Sequence, residues 1–569
     1  MSQSNRNKPG CGCLALMGVG ASVAIVGTVG AFLYFRGFFG KALVPSEAAQ
    51  IIPQEALMTS YISTDPQDWE KLSQYGTAEA QKLLTENLQN AQKEIFKPED
   101  NINYEQDIEP WLGGVMLAFL PNSTTTTGRV TQPTDSENFL VVVGIKNKLK
   151  ALEFANKVKK ESKNQKSVET NYQGITIVET TDSNNEKYSW SFFKNYIVFA
   201  PTKETIEQVI DTSKGKPSLA QKTGANNVFS QKLTVKNPIA TIYIPDYGTA
   251  AEQLITSAMG DAPIPSTTLQ QLQQVEGVAL GVGLEEQGIH MQAIAKLNPN
   301  ISQPTLTPAK GQVLSQFPAN TLALVSGQGI KQTWEQAVAQ SQSDPELQNA
   351  IALVRQSLQS SGFDADREIF GWMDGEFALG AIDMGPVNLT INDPGLGGVM
   401  ILETSDRQTG QQTIEKLQNQ VTSNPYAGIA IEQKNIQGTD VTQWTAPGVG
   451  TFLSYGWLNN NSLLVSVKVP FENLLSLQPS TALNQSPTFK TVTASLPQSN
   501  LGYFYVDLEK LTVKINSFSQ VPGSTMPPET SAMLNSMQGL AFTITMPDAT
   551  TSQMDMMLSL KTTTTQRVE

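Results

Sequence analysis

The sequence predicts an α+β protein: two tandem copies of one α+β unit with mostly antiparallel sheets, preceded by a single transmembrane helix. Three observations predict it. An uncharged run near the N-terminus is long enough to cross a bilayer. The remaining chain matches itself at a nearly constant offset. Its strand-like runs follow one another over short connections, which favours antiparallel pairing.

Leu14 to Phe35 is a stretch of 22 residues without a charge. As a helix it spans about 33 Å, matching a hydrocarbon core of about 30 Å. Tyr34 and Phe35 stand where an interfacial aromatic belt lies. Gly20 with Ala24, and Gly27 with Ala31, read as ordinary small residues of a membrane helix. A signal peptide's apolar region runs only roughly 7–15 residues before a small-x-small site. Here Arg36 to Lys41 follows instead, so an uncleaved anchor is expected. Arg6 and Lys8 favour an N-terminus in the cytoplasm. The expected order is a tail (1–13), a span (14–35) and a body outside the cytoplasm. Cys11 and Cys13 are the only cysteines. The body therefore holds no disulfide and no nucleophilic thiolate.

The body reads as a first repeat (45–297), a polar linker (298–310), a second repeat (311–560) and a tail (561–569). Ile51-Ile52-Pro53 matches Phe317-Pro318-Ala319, and Trp69 matches Trp334. Trp111 and Trp372 each follow an acidic turn. Tyr243 and Tyr505 lie 262 residues apart, as do Gly277 and Gly539. Within a repeat, Leu140–Ile145 and Val399–Leu402 read as strands. They lead into helices over Leu149–Lys160 and Gln411–Val421. Thr176–Val178, Tyr188–Phe193 and Tyr196–Phe199 read as meander strands, with a turn at Lys194-Asn195. Lys203–Thr212 has helical spacing, with Ile206, Val209 and Ile210 on one face. Pro121–Glu137 reads as a long loop. Met259–Ser266 and Val521–Pro528 read as Pro- and Met-containing surface loops.

Charge excludes one large class of partner. The first 41 residues hold four basic and no acidic residues, leaving 35 basic and 52 acidic in the rest. Such a body repels phosphate backbones, so no nucleic-acid partner is expected. His290 is the single histidine and reads as a strand-surface residue; alone it builds no zinc site. Ser191-Phe192-Phe193-Lys194, Lys222-Thr223-Gly224 and Ser183-Asn184-Asn185 imitate penicillin-recognising motifs. The serine, however, sits in a strand run, where residues three apart face opposite sides. No phosphate-binding glycine loop accompanies Gly215-Lys216, and no cofactor is expected.

The turn Asp107-Ile108-Glu109-Pro110-Trp111-Leu112-Gly113, the anchor and the doubled unit resemble the uncharacterised DUF3352 family over roughly Pro45 to Leu560. The second copy departs from the motif, with Gly371 in place of Pro110 and Asp374 near the position of Gly113. The resemblance implies a cyanobacterial envelope or thylakoid setting, with the body in the periplasm or thylakoid lumen. It implies no activity and no site residue.

One constellation occurs twice. Asn103, Glu105 and Asp107 alternate before Trp111; Asp364, Asp366 and Glu368 alternate before Trp372. Alternating oxygens suit a hard cation, so Glu105, Asp107, Asp364, Asp366 and Glu368 are metal candidates. The competing reading is an acidic cap before a buried tryptophan. No residue pattern names a catalytic group. The expectation is a membrane-anchored binding or scaffolding protein, held through residues 14–35, with a protein partner at the same membrane. The alternatives are a carrier of a lipid or other hydrophobic ligand, and a carboxylate-based hydrolase.

Overall fold

Strand and helix positions follow from side-chain periodicity, and the computed structural model places them in two units. It describes residues 43–64, 66–83, 85–86, 103–121, 139–161, 166–181, 187–222, 233–236, 238–259, 264, 268–269, 272–299, 306–342, 344–386, 395–423, 428–518 and 526–562. Among the described residues, one unit lies within 43–299 with Thr550–Gln553 and Thr562. The other lies within 306–549 with Met554–Lys561.

In the first unit the strands are β1 (Met58–Ile62), β2 (Leu112–Phe119), β3 (Phe139–Ile145), β4 (Lys166–Tyr172), β5 (Ile175–Thr181), β6 (Lys187–Phe193), β7 (Tyr196–Ala200), β8 (Pro238–Ile244), β9 (Val275–Glu285) and β10 (Gly288–Leu297). All pair antiparallel, in the order β4-β5-β6-β7-β3-β2-β1-β8-β9-β10. Three helices matter here: α1 (Lys148–Glu161), α2 (Lys203–Ser213) and α3 (Tyr247–Met259). The β6–β7 hairpin closes at Lys194, whose φ of 54° is the left-handed backbone a tight turn demands. Helix α2 starts at Thr202, whose hydroxyl accepts the Thr205 N–H at 3.3 Å. Its Ile206, Val209 and Ile210 are buried in a core shared with Ile177, Tyr196 and Val198. Each such side chain contributes about 1.5–3 kcal/mol.

The second unit contains β11 (Thr321–Gln328), β12 (Glu376–Asp383), β13 (Leu396–Glu403), β14 (Ala430–Ile436), β15 (Thr439–Ala446), β16 (Gly450–Trp457), β17 (Ser462–Val467), β18 (Tyr503–Val506), β19 (Met537–Asp548) and most of β20 (Thr551–Leu560). Their order is β14-β15-β16-β17-β13-β12-β11-β18-β19-β20. This is the strand order of the first unit. Helices α4 (Ile330–Gln340), α5 (Pro345–Ser360) and α6 (Arg407–Thr422) belong to it. Phe317, Phe471 and Tyr505 are fully buried in its core. Burial, reinforced by the Asp507 charge, pushes the Tyr505 hydroxyl far above its ordinary pKa.

The class is thus α+β with antiparallel sheets. The predicted strands and helices stand within a few residues of their expected ends; Leu149–Lys160 lies inside α1 and Gln411–Val421 inside α6. Among the described residues no helix is long and apolar enough to cross a membrane. The predicted span 14–35 lies outside them, as do Cys11, Cys13, most of the Pro121–Glu137 loop and most of both Pro- and Met-containing loops. The described chain begins at Leu43, which is buried, and turns through a short helix at Pro45–Ala48.

Candidate functional site

Each acidic turn folds into a single five-residue π-helical turn, Tyr104–Ile108 in the first unit and Ala365–Ile369 in the second. In the second unit the Arg367 N–H donates to Asp364 Oδ1 at 2.9 Å, and the Asp364 N–H donates to Glu368 Oε2 at 2.7 Å. Side chain and backbone thus cap each other reciprocally, as in a capping box. The Trp372 indole N–H donates to the Glu368 carbonyl at 3.0 Å. From α6, the Lys416 ammonium lies 2.8 Å from both Glu368 carboxylate oxygens.

The first unit repeats this arrangement with its own residues. The Gln106 N–H donates to Asn103 Oδ1 at 3.0 Å, and the Asn103 N–H to Asp107 Oδ2 at 2.7 Å. The Trp111 indole donates to the Asp107 carbonyl at 2.7 Å, and Lys157 from α1 pairs with Asp107 at 2.5 Å. Trp111 packs against Phe154 of the same helix, with ring centroids 5.3 Å apart. Each turn therefore pins the helix that follows its sheet strand.

Electrostatics agree with this geometry. The Lys416 hydrogen bond and the Asp364 amide hold the Glu368 carboxyl below its ordinary value. Burial pushes Asp107 up, but Lys157 and the Asn103 amide outweigh it, and it too lies low. A folded-state pKa below the unfolded one contributes stability above the unfolded value, about 4.3 for glutamate, and loses it as pH falls through the folded value. Glu368→Gln is therefore expected to cost about 1 kcal/mol at pH 7 and little once both states are protonated. Urea midpoints taken from neutral to acid pH check this; an unchanged acid slope would break the link to Glu368.

Four of the five metal candidates have described side-chain partners. Asp107 and Glu368 hold ammonium groups, and Asp364 caps an amide. Asp366 accepts from Arg355 at 2.9 Å and from the Trp334 indole at 2.8 Å. Glu105 lies within the first turn. Among the described residues no three His, Cys, Asp or Glu side chains gather to hold an ion. An open groove of about 530 Å³ runs along α6, lined by polar side chains including Gln412, Glu415, Lys416 and Asn419.

His290 corrects the strand-surface expectation. It is 3% exposed, with Nδ1 2.8 Å from Glu285 Oε1, and the Tyr75 hydroxyl donates to the Glu285 carbonyl. The even positions of β10, His290 and Ile294 among them, are the more buried, although most of its apolar residues stand at odd positions. Ser191 is buried and donates to the Thr176 carbonyl at 2.8 Å, while Lys194 sits in the hairpin turn. Thr223-Gly224 and Ser183-Asn184-Asn185 lie outside the described residues. The partner lysines, Lys157 and Lys416, escaped sequence reasoning. The available signal was a lysine in the corresponding helix of each unit.

The model of the DUF3352 family, described as a protein of unknown function, matches residues 16–560. No curated protein matches the chain. Among solved structures, crystal form III of TP0453 is similar at TM-score 0.26 and 13% identity, covering 46% of this chain and 83% of that one. Crystal form I of TP0453 gives 0.25 and 12%, covering 46% and 82%. Likenesses at this level carry no argument.

Proposed function

The chain belongs to the DUF3352 family, and we propose that it is a single-pass membrane-anchored protein whose duplicated body binds or scaffolds a protein partner at one membrane face, outside the cytoplasm. One observation carries this reading. Two units share a strand order and a tryptophan–acid–lysine turn, so the chain offers two similar surfaces on one tether. Duplication of one ancestral unit accounts for both likenesses. The carboxylates of the turns are taken up by lysines and amides, which supports binding over carboxylate hydrolysis.

Crosslinking of the full chain in its native membrane, followed by purification, tests the reading. A reproducible protein partner in near-equal amount is the expected result. Copurified lipid without a protein partner overturns it in favour of a carrier. Release of the chain by alkaline carbonate overturns the anchor.

A further inference from the structure

We propose that the outer face of α1 docks on an anionic lipid surface; its placement at the membrane rests on the anchor reading, but its chemistry does not. The chain as a whole is acidic, with a formal net charge of −13. Residues 146–161 reverse that sign, with Lys146, Lys148, Lys150, Lys157, Lys159 and Lys160 against Glu153 and Glu161. The helix at the same place in the second unit, α6, carries only Arg407 and Lys416 against Glu415. The basic helix is therefore particular to the first unit, and the shared fold does not require it.

Its inner face is accounted for. Ala151 is buried, Phe154 packs on Trp111, and Lys157 pairs with Asp107. Its outer face carries Leu149, 74% exposed, and Leu152, 52% exposed, one helical turn apart. Lys146, Lys148 and Lys150 are exposed beside them. A single exposed leucine is ordinary. Two on one face, flanked by lysines in an otherwise acidic protein, match an interfacial helix that buries its apolar residues at the headgroup boundary and sets ammonium groups against lipid phosphate.

Position supports the same occupant. Leu43, the first described residue, lies against Gly144, and a Cβ built there would stand 2.7 Å from the Leu43 Cβ. Gly144 precedes the start of α1 by four residues. Eight residue steps separate Leu43 from Phe35, where the apolar run ends. Fully extended they reach at most about 29 Å. The chain thus enters its body beside the basic helix.

The test uses the full chain with Cys11 and Cys13 replaced by serine and a polarity-sensitive dye on Leu152→Cys. A parallel sample carries the dye on Leu417→Cys of α6, where the native side chain is 46% exposed. Vesicles are phosphatidylcholine alone or an equal mixture with phosphatidylglycerol. The expected result is a blue shift at position 152 in the mixed vesicles only, absent at 417. It is lost on Lys148→Glu with Lys150→Glu and suppressed by molar salt, where screening acts within about 3 Å. A vesicle-bound chain without that shift overturns the proposal while leaving the anchor standing. An equal shift in phosphatidylcholine overturns it, and so does a shift that grows with protein concentration without vesicles, which would assign the face to a second copy of this acidic chain. Failure to associate with phosphatidylcholine vesicles, together with a shift in the mixed ones, sinks the anchor and keeps the docking face.

Discussion

Trp372→Ala is expected to destabilise the second unit by about 3–5 kcal/mol, the range for deleting a large buried aromatic side chain. Trp372 is 3% exposed and packs in a cluster with Leu402, Trp444, Tyr455 and Leu463. Gly410 of α6 lies against its ring, so close that a Cβ there would stand 3.0 Å from the indole. Hydrogen bonds around it join three pieces of chain. Its N–H holds the Glu368 carbonyl, Thr413 donates to that same carbonyl at 2.7 Å, and Thr404 donates to the Trp372 carbonyl. Removing the ring leaves a cavity under α6 and deprives the turn of a donor. Trp372→Phe helps separate these contributions, because it keeps most of the volume while losing the N–H. It is expected to cost about 1–2 kcal/mol. Urea unfolding followed by far-ultraviolet circular dichroism measures both. A Trp372→Ala variant within 1 kcal/mol of the parent would show that the turn does not hold α6. Trp111→Ala is the matching change in the first unit, where Phe154 replaces the glycine contact.

Much of the local structure was legible because it is written in side-chain periodicity. Alternation marked β6, a short apolar run marked β7, and the three-and-four spacing of Ile206, Val209 and Ile210 marked the buried face of α2. The acidic turns were legible as a recurring motif but not as a geometry. Spacing by two places ligands on one side only in an extended strand. In a helical turn the same spacing spreads them, so Asp364 and Glu368 close on each other while Asp366 turns to Arg355. The lysines that complete the turns lie 50 and 48 residues further on, a separation no local pattern spans. The strand order has the same origin: β3 pairs with β7 across the whole α1–β6 excursion, and only packing decides that. His290 misled because both faces of β10 are at least partly covered and carry apolar residues, Met291 on one and Ile294 on the other, so the pattern does not identify the inside.

Gly144→Ala tests the other end of this architecture, where the chain enters the first unit. A Cβ on Gly144 would stand 1.9 Å from the Gly113 carbonyl oxygen and 2.7 Å from the Leu43 Cβ. Real Cβ atoms essentially never approach within 3.0 Å, and the nearer obstacle is backbone, which no rotamer change relieves. Either β2 moves away from β3, weakening the pairing that runs from Leu112↔Ile145 to Phe119↔Phe139, or Leu43 is expelled from its buried seat. The expected loss is about 3 kcal/mol or more, at the upper end of overpacking effects. Gly398→Ala in β13 is the control, since its Cβ would meet only Val467 at an ordinary 3.7 Å. That change should cost less than about 1 kcal/mol, because removing a strand glycine also reduces the freedom of the unfolded chain. The two routes of relief differ in what they expose. Strand separation would weaken amide-hydrogen protection along β2 and β3. Expulsion of Leu43 would leave those strands protected and open the chain near Pro45 to proteolysis. Hydrogen exchange with limited digestion distinguishes them, and a Gly144→Ala protein as stable as Gly398→Ala would mean that Leu43 does not seat the chain at the start of the body.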